Sequence, residues 1–361
     1  MNSANKPSSS KQKKRVTQAD IARMTGVSTA VVSVALHGSA KGNIRVSPAV
    51  VKKIKALAKK EKYIPNQAAR QLSLQHSKMW GILCDSRPTE LNASRLALLH
   101  KAARDKGYRV IVEYYDRTRP DLNSLLAVFH NLGVDGVICL HHHFPNQHTL
   151  IPRLLTKHFD RVVFIDKPEP DKYFFCGVDY VEAGRAVYHA LRQCGLRPGM
   201  ALKNLLWYAA PLLAKGFTEE YKADHPRDDY MPVWTAESPA ENDKSLFDIA
   251  TARRALDLWA LPNKLTGLAV FGDEQAVLVL NALQERGLRV PHDVAVIGIG
   301  NARICDLVRP TLSSVDLQVE LAINAAVEML YQLCQGGKPE ITGRWIAPRL
   351  HLRQSCPPQQ A

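Results

Sequence analysis

TQADIARMTGVSTAVVSVAL, residues 17–36, holds two helix-start signals with a glycine between them. Thr17 followed by Asp20 three residues on is a capping pattern, Gly26 sits where the chain must turn sharply, and Ser28 can cap a second helix. Ile21, Ala22, Val27, Val31, Val32 and Leu36 then pack the two helices together and leave Thr29, Ala30, Ser33 and Val34 facing outward. The spacing predicts a helix-turn-helix, whose second helix fits a DNA major groove. A plain helical hairpin has the same pattern, and the charge around the stretch separates the two.

The whole chain carries a formal net charge of +14. Residues 1–78 hold 16 Lys and Arg against Asp20 and Glu61 alone, which is the entire excess, while 79–361 hold 32 basic and 32 acidic side chains. Charge this segregated is an electrostatic footprint, and the partner of the basic segment is expected to be a polyanion.

With 361 residues, 46% of them hydrophobic, the chain is long enough for two or three globular domains. The cysteines at 84, 139, 176, 194, 305, 334 and 356 form no C-x-x-C pair, so they read as buried or free thiols in a reducing cytosol. No run of 18 apolar residues and no signal-peptide core occurs, which points to a cytoplasmic, nucleoid-associated protein with no membrane partner.

Residues 1–15 are rich in Ser and Lys without apolar periodicity and read as a disordered basic arm, in which Lys11, Lys13, Lys14 and Arg15 can touch phosphates. After a polar loop, HGSAKGNIR, Ser47 and Pro48 start a third helix that buries Val51, Ile54, Leu57 and Ala58 and carries lysines on its other face. Pro65 can start a short helix through Leu72, with too little apolar surface to stand alone. From Met79 the texture changes to apolar runs between amphipathic helices: WGILC, RVIVEYY, VDGVICL, RVVFID and FFCGVDY, then LKNLLWY, TGLAVF and VAVIGIG. Two such series predict two α/β lobes with parallel sheets, and a ligand cleft beyond the carboxyl ends of their strands.

In this order the sequence resembles the lactose/galactose repressor (LacI/GalR) family of bacterial transcription regulators, from Val16 to about Leu352. The resemblance is carried by IARMTGVSTAVVSVAL, YIPNQAARQL, VDYVEAGRAVYHAL, ALQERGLRVPHDVAVIGI and RPTLSSVD. It implies an N-terminal all-α helix-turn-helix domain plus hinge helix, followed by an α/β periplasmic-binding-protein-like core of two parallel-sheet lobes. The divisions are an arm 1–15, a DNA-binding domain 16–63, a hinge and linker 64–78, a core 79–353 and a tail 354–361. Within the core, lobe 1 is expected at about 79–176 and 309–338, and lobe 2 at about 177–308 and 339–353. The implied partners are a pseudo-palindromic double-stranded operator and a second copy of the chain, with a core that usually senses a sugar or nucleobase.

By position the resemblance assigns base reading to Thr29, Ala30 and Val34, phosphate contact to Ser28 and Ser33, and minor-groove packing to Asn66, Ala69 and the wedge Leu72. Val34 stands where Arg is common, so readout is expected to lean on thymine methyls and the hinge, with Lys41 or Arg45 of the longer loop supplying phosphate contacts. The cleft departs further. Leu213 replaces the family's Arg, Gly272 the Asn of N-D-x-x-A, and Gly300 the Asp of G-[FY]-D. A buried sugar deprived of those partners leaves polar groups unpaired at roughly 1–3 kcal/mol each. An ordinary sugar is therefore not expected: the cleft takes a less hydroxylated ligand, or it is empty and the lobes only dimerise.

Other cleft candidates sit at strand ends: Asp85, Ser86 and Arg87, His141 and His143, Asp179 and Asp273, the last equally suited to capping a helix. Three consecutive histidines, 141–143, cannot all face one metal, because neighbours on a strand point to opposite faces. GIGNAR lacks the third glycine of a dinucleotide loop, and no nucleophile elbow, zinc-binding helix or phosphate loop occurs. No cofactor, metal or catalytic residue is assigned. A sequence-specific regulator, most simply a repressor, is the leading reading; a small-molecule-binding protein or enzyme with an accessory basic domain is the alternative.

Overall fold

The computed structural model describes residues 16–37, 45–63, 76–86, 90–116, 121–143, 149–168, 172–202, 208–236 and 247–357. The arm, the hinge helix with Asn66, Ala69 and Leu72, and Lys41 and Arg87 lie outside the described residues. The chain divides into two compact units, Met1–His76 and Ser77–Ala361.

In the first unit, α1 (Gln18–Thr25), α2 (Thr29–His37) and α3 (Pro48–Lys60) close on Ile21, Ala22, Val32, Ala35, Ile54 and Ala58. Thr17 Oγ1 accepts from the Asp20 N–H at 3.2 Å while the Asp20 carboxylate accepts from the Thr17 N–H at 3.0 Å, a reciprocal cap that satisfies two donors of the first turn. Gly26 takes φ 73°, a left-handed value open to glycine, and its N–H reaches the Ala22 carbonyl. The axes of α1 and α2 then turn through 105°. Ser47 accepts from the Val50 N–H at 3.4 Å and places Pro48 in the first turn of α3, where no N–H is needed.

The second unit holds two sheets. Its elements are β1 (Met79–Asp85), α4 (Glu90–Asp105), β2 (Arg109–Tyr115), α5 (Leu122–Leu132), β3 (Gly136–Cys139), α6 (Leu150–His158), β4 (Val162–Ile165) and β5 (Phe174–Val178). There follow α7 (Tyr180–Gln193), β6 (Pro198–Leu202), α8 (Ala209–Asp224), β7 (Val233–Thr235), α9 (Ile249–Ala255) with a wide π-turn to Ala260, β8 (Gly267–Val270) and α10 (Asp273–Gln284). The chain ends through β9 (Ala295–Ile299), α11 (Ile304–Leu307), β10 (Ser313–Asp316), α12 (Val319–Cys334), β11 (Gly343–Ile346) and β12 (Arg349–His351).

The first sheet has the order β11-β5-β4-β3-β1-β2 and the second β12-β10-β9-β8-β6-β7; every pairing is parallel except β10 with β12. The apolar runs are strands because both faces are covered: α4 and α12 pack one face of the first sheet and α5 and α6 the other. On the second sheet α7 and α8 cover one face, and α9 and α10 the other.

The lobe boundaries differ from those the sequence suggests. β5 runs in the first sheet to Val178, two residues beyond the expected boundary. β10, expected in lobe 1, pairs with β9 in the second sheet, and β11, expected in lobe 2, pairs with β5 in the first. The chain thus crosses between sheets around 179, 317 and 347. These short strands carry polar residues and no apolar run, so hydropathy marks them poorly. Residues 354–357 are also no tail: Ser355 and Cys356 are buried, and Ser355 bridges Val296 and Thr311 through its backbone.

Candidate nucleic-acid interface and interlobe cleft

Ser28, Thr29 and Ala30 are exposed at the start of α2, and Ser33 and Val34 are half-buried on the next turn. Ser28 Oγ accepts from the Val31 N–H at 3.3 Å, which fixes the side chain at the helix start and leaves its own proton free to donate. Ala35, absent from the expected inward set, is buried against Ile54 and Ala58. In the same unit Arg45, Lys52, Lys53, Lys55, Lys59 and Lys60 are exposed. The unit therefore exposes both a helix start with hydroxyl and methyl groups and a set of cationic side chains, a combination suited to a polyanion with accessible base edges.

In the second unit the strand-end residues collect at the carboxyl edges of the sheets, but most serve the fold. Asp179 caps α7, accepting from the Glu182 N–H at 3.0 Å. Ser86 is exposed, with its N–H on the Tyr115 carbonyl at 3.1 Å. Asp85 is buried and accepts from Asn92 Nδ2 at 3.2 Å.

Asp273 is not the cap of its helix, whose N-cap is Gly272. It is buried beneath the β9 and β10 ends, accepting from Ser314 Oγ at 2.6 Å and the Ala302 N–H at 2.7 Å. Burial holds its carboxyl above the usual range, and those two donors oppose the shift. Asp273→Ala leaves both donors without an acceptor and is expected to lower the stability of the second sheet by about 1–3 kcal/mol for each, read as a drop in the urea midpoint of the full chain. A midpoint equal to that of the unaltered chain would show the network to be dispensable.

Leu213, expected to line the cleft, is wholly buried in the core between α7, α8 and the second sheet. The close crossing of α7 on α8 sets its orientation, and the leucine side chain is spent on packing. Gly272 takes φ 98° and Gly300 φ 138°, and a methyl on Gly300 would lie 2.8 Å from the Asp273 carboxylate. Both loops follow a left-handed path where a side chain is strained or blocked.

The polar groups that do gather between the lobes come largely from residues with no sequence motif: Arg95, Asp166, Tyr180 and Tyr208. Arg95 is buried on α4, 3.7 Å from the Asp166 carboxylate and 3.5 Å from His141 Nε2, and its charge also acts on the Tyr180 hydroxyl. Burial pushes the Asp166 carboxyl up against the opposing pull of Arg95, and it pushes the Tyr180 hydroxyl up as well. His141 Nδ1 lies 3.6 Å from Cys84 Sγ, whereas His143 stacks on Tyr208 with ring centroids 3.8 Å apart and planes at 7°. The two histidines therefore do not converge. Buried His142 points back instead, its Nε2 3.1 Å from the carbonyls of Ile165 and Asp166. Among the described residues no group of three or more His, Cys, Asp and Glu is placed to hold a metal ion, and no single helix is long and apolar enough to cross a membrane.

Residues 208–356 match a family described as a periplasmic binding protein-like domain. The chain is 24% identical over 344 residues to the HTH-type transcriptional repressor PurR of Klebsiella pneumoniae (strain 342), covering 93% of this chain and 95% of that protein. It is 26% identical over 348 residues to the PurR of Photorhabdus laumondii subsp. laumondii, with the same coverage. Its fold is similar to the crystal structure of the lac repressor dimer bound to operator and the anti-inducer ONPF, with a TM-score of 0.78 and 20% identity over 95% of this chain and 100% of that one.

Proposed function

We infer that this chain is a member of the lactose/galactose repressor (LacI/GalR) family of DNA-binding transcription regulators, that it acts as a homodimer on a pseudo-palindromic operator and that its cleft takes no ordinary sugar. It is a repressor in kind and not an enzyme, as its relatives along nearly the whole chain are repressors. The observation that carries the operator reading is the exposed start of α2 within a segment, residues 1–78, that holds the chain's whole excess of positive charge. Base contacts come from Thr29, Ala30 and Val34, and phosphate contacts from Ser28, Ser33, Arg45 and the arm residues Lys13, Lys14 and Arg15. Asn66, Ala69 and Leu72 supply the minor-groove contact, and the protein works in the cytoplasm on the nucleoid. Gly272, Gly300 and the buried Leu213 support the second half, since none of them offers a hydroxyl a partner.

Selection of genomic fragments by the purified protein, followed by footprinting, is expected to protect a palindrome. Between 50 and 200 mM salt the affinity should fall about 10³- to 10⁵-fold if 6–10 phosphates are neutralised. Calorimetric titration with hexoses and pentoses should give no heat of binding. Absence of a protected palindrome together with a flat salt response would overturn the operator reading, and tight binding of a simple sugar would overturn the reading of the cleft.

A further inference from the structure

We propose that the two lobes are latched to each other by the chain's own side chains, so that their relative position is held without a ligand. The contacts form a closed circuit. From the first lobe, Asp166 pairs with Arg95 at 3.7 Å, and the Asp166 carbonyl lies 3.1 Å from His142, whose ring leans on His143 at 3.9 Å. From the second lobe, Tyr208 stacks on His143, and Tyr180 comes near enough to the buried Arg95 and Asp166 to feel both charges. Tyr180 and Tyr208 complete it, edge to face at 6.1 Å and 86°.

Two features make this circuit a latch and not a set of independent contacts. Tyr180 opens α7 and Tyr208 precedes α8, and those helices are fixed to each other where Gly184 and Gly216 meet the opposite backbone. The tyrosines therefore move as one piece, and the lobes cannot part without breaking the His143 stack and drawing Tyr180 away from the Arg95–Asp166 pair. A centroid distance of 3.8 Å also leaves no room for a third ring between Tyr208 and His143. A planar ligand has to break the latch before it can enter.

Only the effect on operator affinity rests on the repressor reading. The latch itself is tested by single-molecule energy transfer between dyes on K157C and K222C, exposed positions of the first and second lobes, in a C194S background diluted into unlabelled protein. The unaltered latch should give one narrow distance distribution, unchanged by hexose. Tyr208→Ala and His143→Ala each remove the stack, and each should lower the closed-to-open ratio by roughly 2- to 12-fold, the worth of an aromatic pair beyond its buried area. Tyr208→Phe keeps the ring face and should match the parent. Operator Kd should change in the two alanine variants by up to the same factor. Distributions identical to the parent in both alanine variants, or a change with Tyr208→Ala alone, would overturn the latch, the second by assigning the effect to the start of α8. A parent chain that binds no operator would defeat the repressor reading and leave the distance measurement able to decide.

Discussion

Gly216→Ala is expected to destabilise the second lobe by about 3 kcal/mol or more, although alanine favours a helix over glycine by about 1 kcal/mol. α7 and α8 cross with two glycines at the contact. A methyl on Gly216 overlaps the Val181 carbonyl oxygen and sits 3.2 Å from the Arg185 nitrogen; a methyl on Gly184 overlaps the Leu213 carbonyl and sits 3.0 Å from the Phe217 nitrogen. Backbone atoms cannot swing aside as a side-chain tip can, so the helices must separate. Separation opens the packing of Tyr188, Leu213, Phe217 and Tyr221, all buried in one cluster. The ion pairs of Arg185 with Glu219 and Glu220 above the crossing are partly solvated and too weak to hold it shut. Urea unfolding of the full chain, followed by circular dichroism, measures the loss. Lys215→Ala, on the solvent side of the same helix, should stay within about 0.5 kcal/mol of the parent. A Gly216→Ala midpoint as close to the parent as that would mean the crossing is looser than its geometry.

What could be read from the sequence is what depends on neighbours in the chain. Thr17 with Asp20, Gly26, and Ser47 with Pro48 each act within one turn, and each sits in the structure as the cap or turn its chemistry dictates. The runs WGILC, VDGVICL, RVVFID and VAVIGIG likewise become strands, since a segment buried on both faces must be apolar throughout, whereas the strand expected at LKNLLWY lies earlier, at Pro198–Leu202. Hydropathy is silent for β11, where Arg344 and Trp345 are exposed, and for β10, where Ser313 and Ser314 are buried polar residues satisfied by partners elsewhere in the lobe. The cleft is the least legible part. Arg95 looks like any helix arginine until its partners Asp166 and Tyr180 arrive from other elements, and no spacing links His143 to Tyr208. Gly272 and Gly300 can be read from the chain, but not the left-handed backbone each of them takes. That Leu213 turns into the core, and that Asp273 is consumed by Ser314 and Ala302, depends on helix crossing and sheet order.

Ile54→Asp should abolish specific operator binding while the lobes keep their stability. The helical unit rests on one small cluster, Ile21, Ala22, Val32, Ala35, Ile54 and Ala58, with Ile21, Val32 and Ile54 fully buried. A domain of that size holds roughly 3–7 kcal/mol of stability. Removing the isoleucine side chain costs about 2–5 kcal/mol, and an unpaired carboxylate in its place adds several more, so the sum exceeds what the unit can lose. Unfolding scatters the helix start at Ser28–Ala30 and the lysines of α3, and only diffuse charge attraction to DNA survives. Fluorescence anisotropy on the selected operator should then show Kd raised by 10³-fold or more, towards its value on random DNA. Lys55→Ala, next to Ile54 but exposed, should weaken binding to operator and random DNA alike, since it removes charge and leaves the helices packed. The lobes form a separate compact unit with their own clusters, so their melting should be unchanged in both variants. Operator binding by Ile54→Asp within ten-fold of the parent would remove the three-helix unit from recognition altogether.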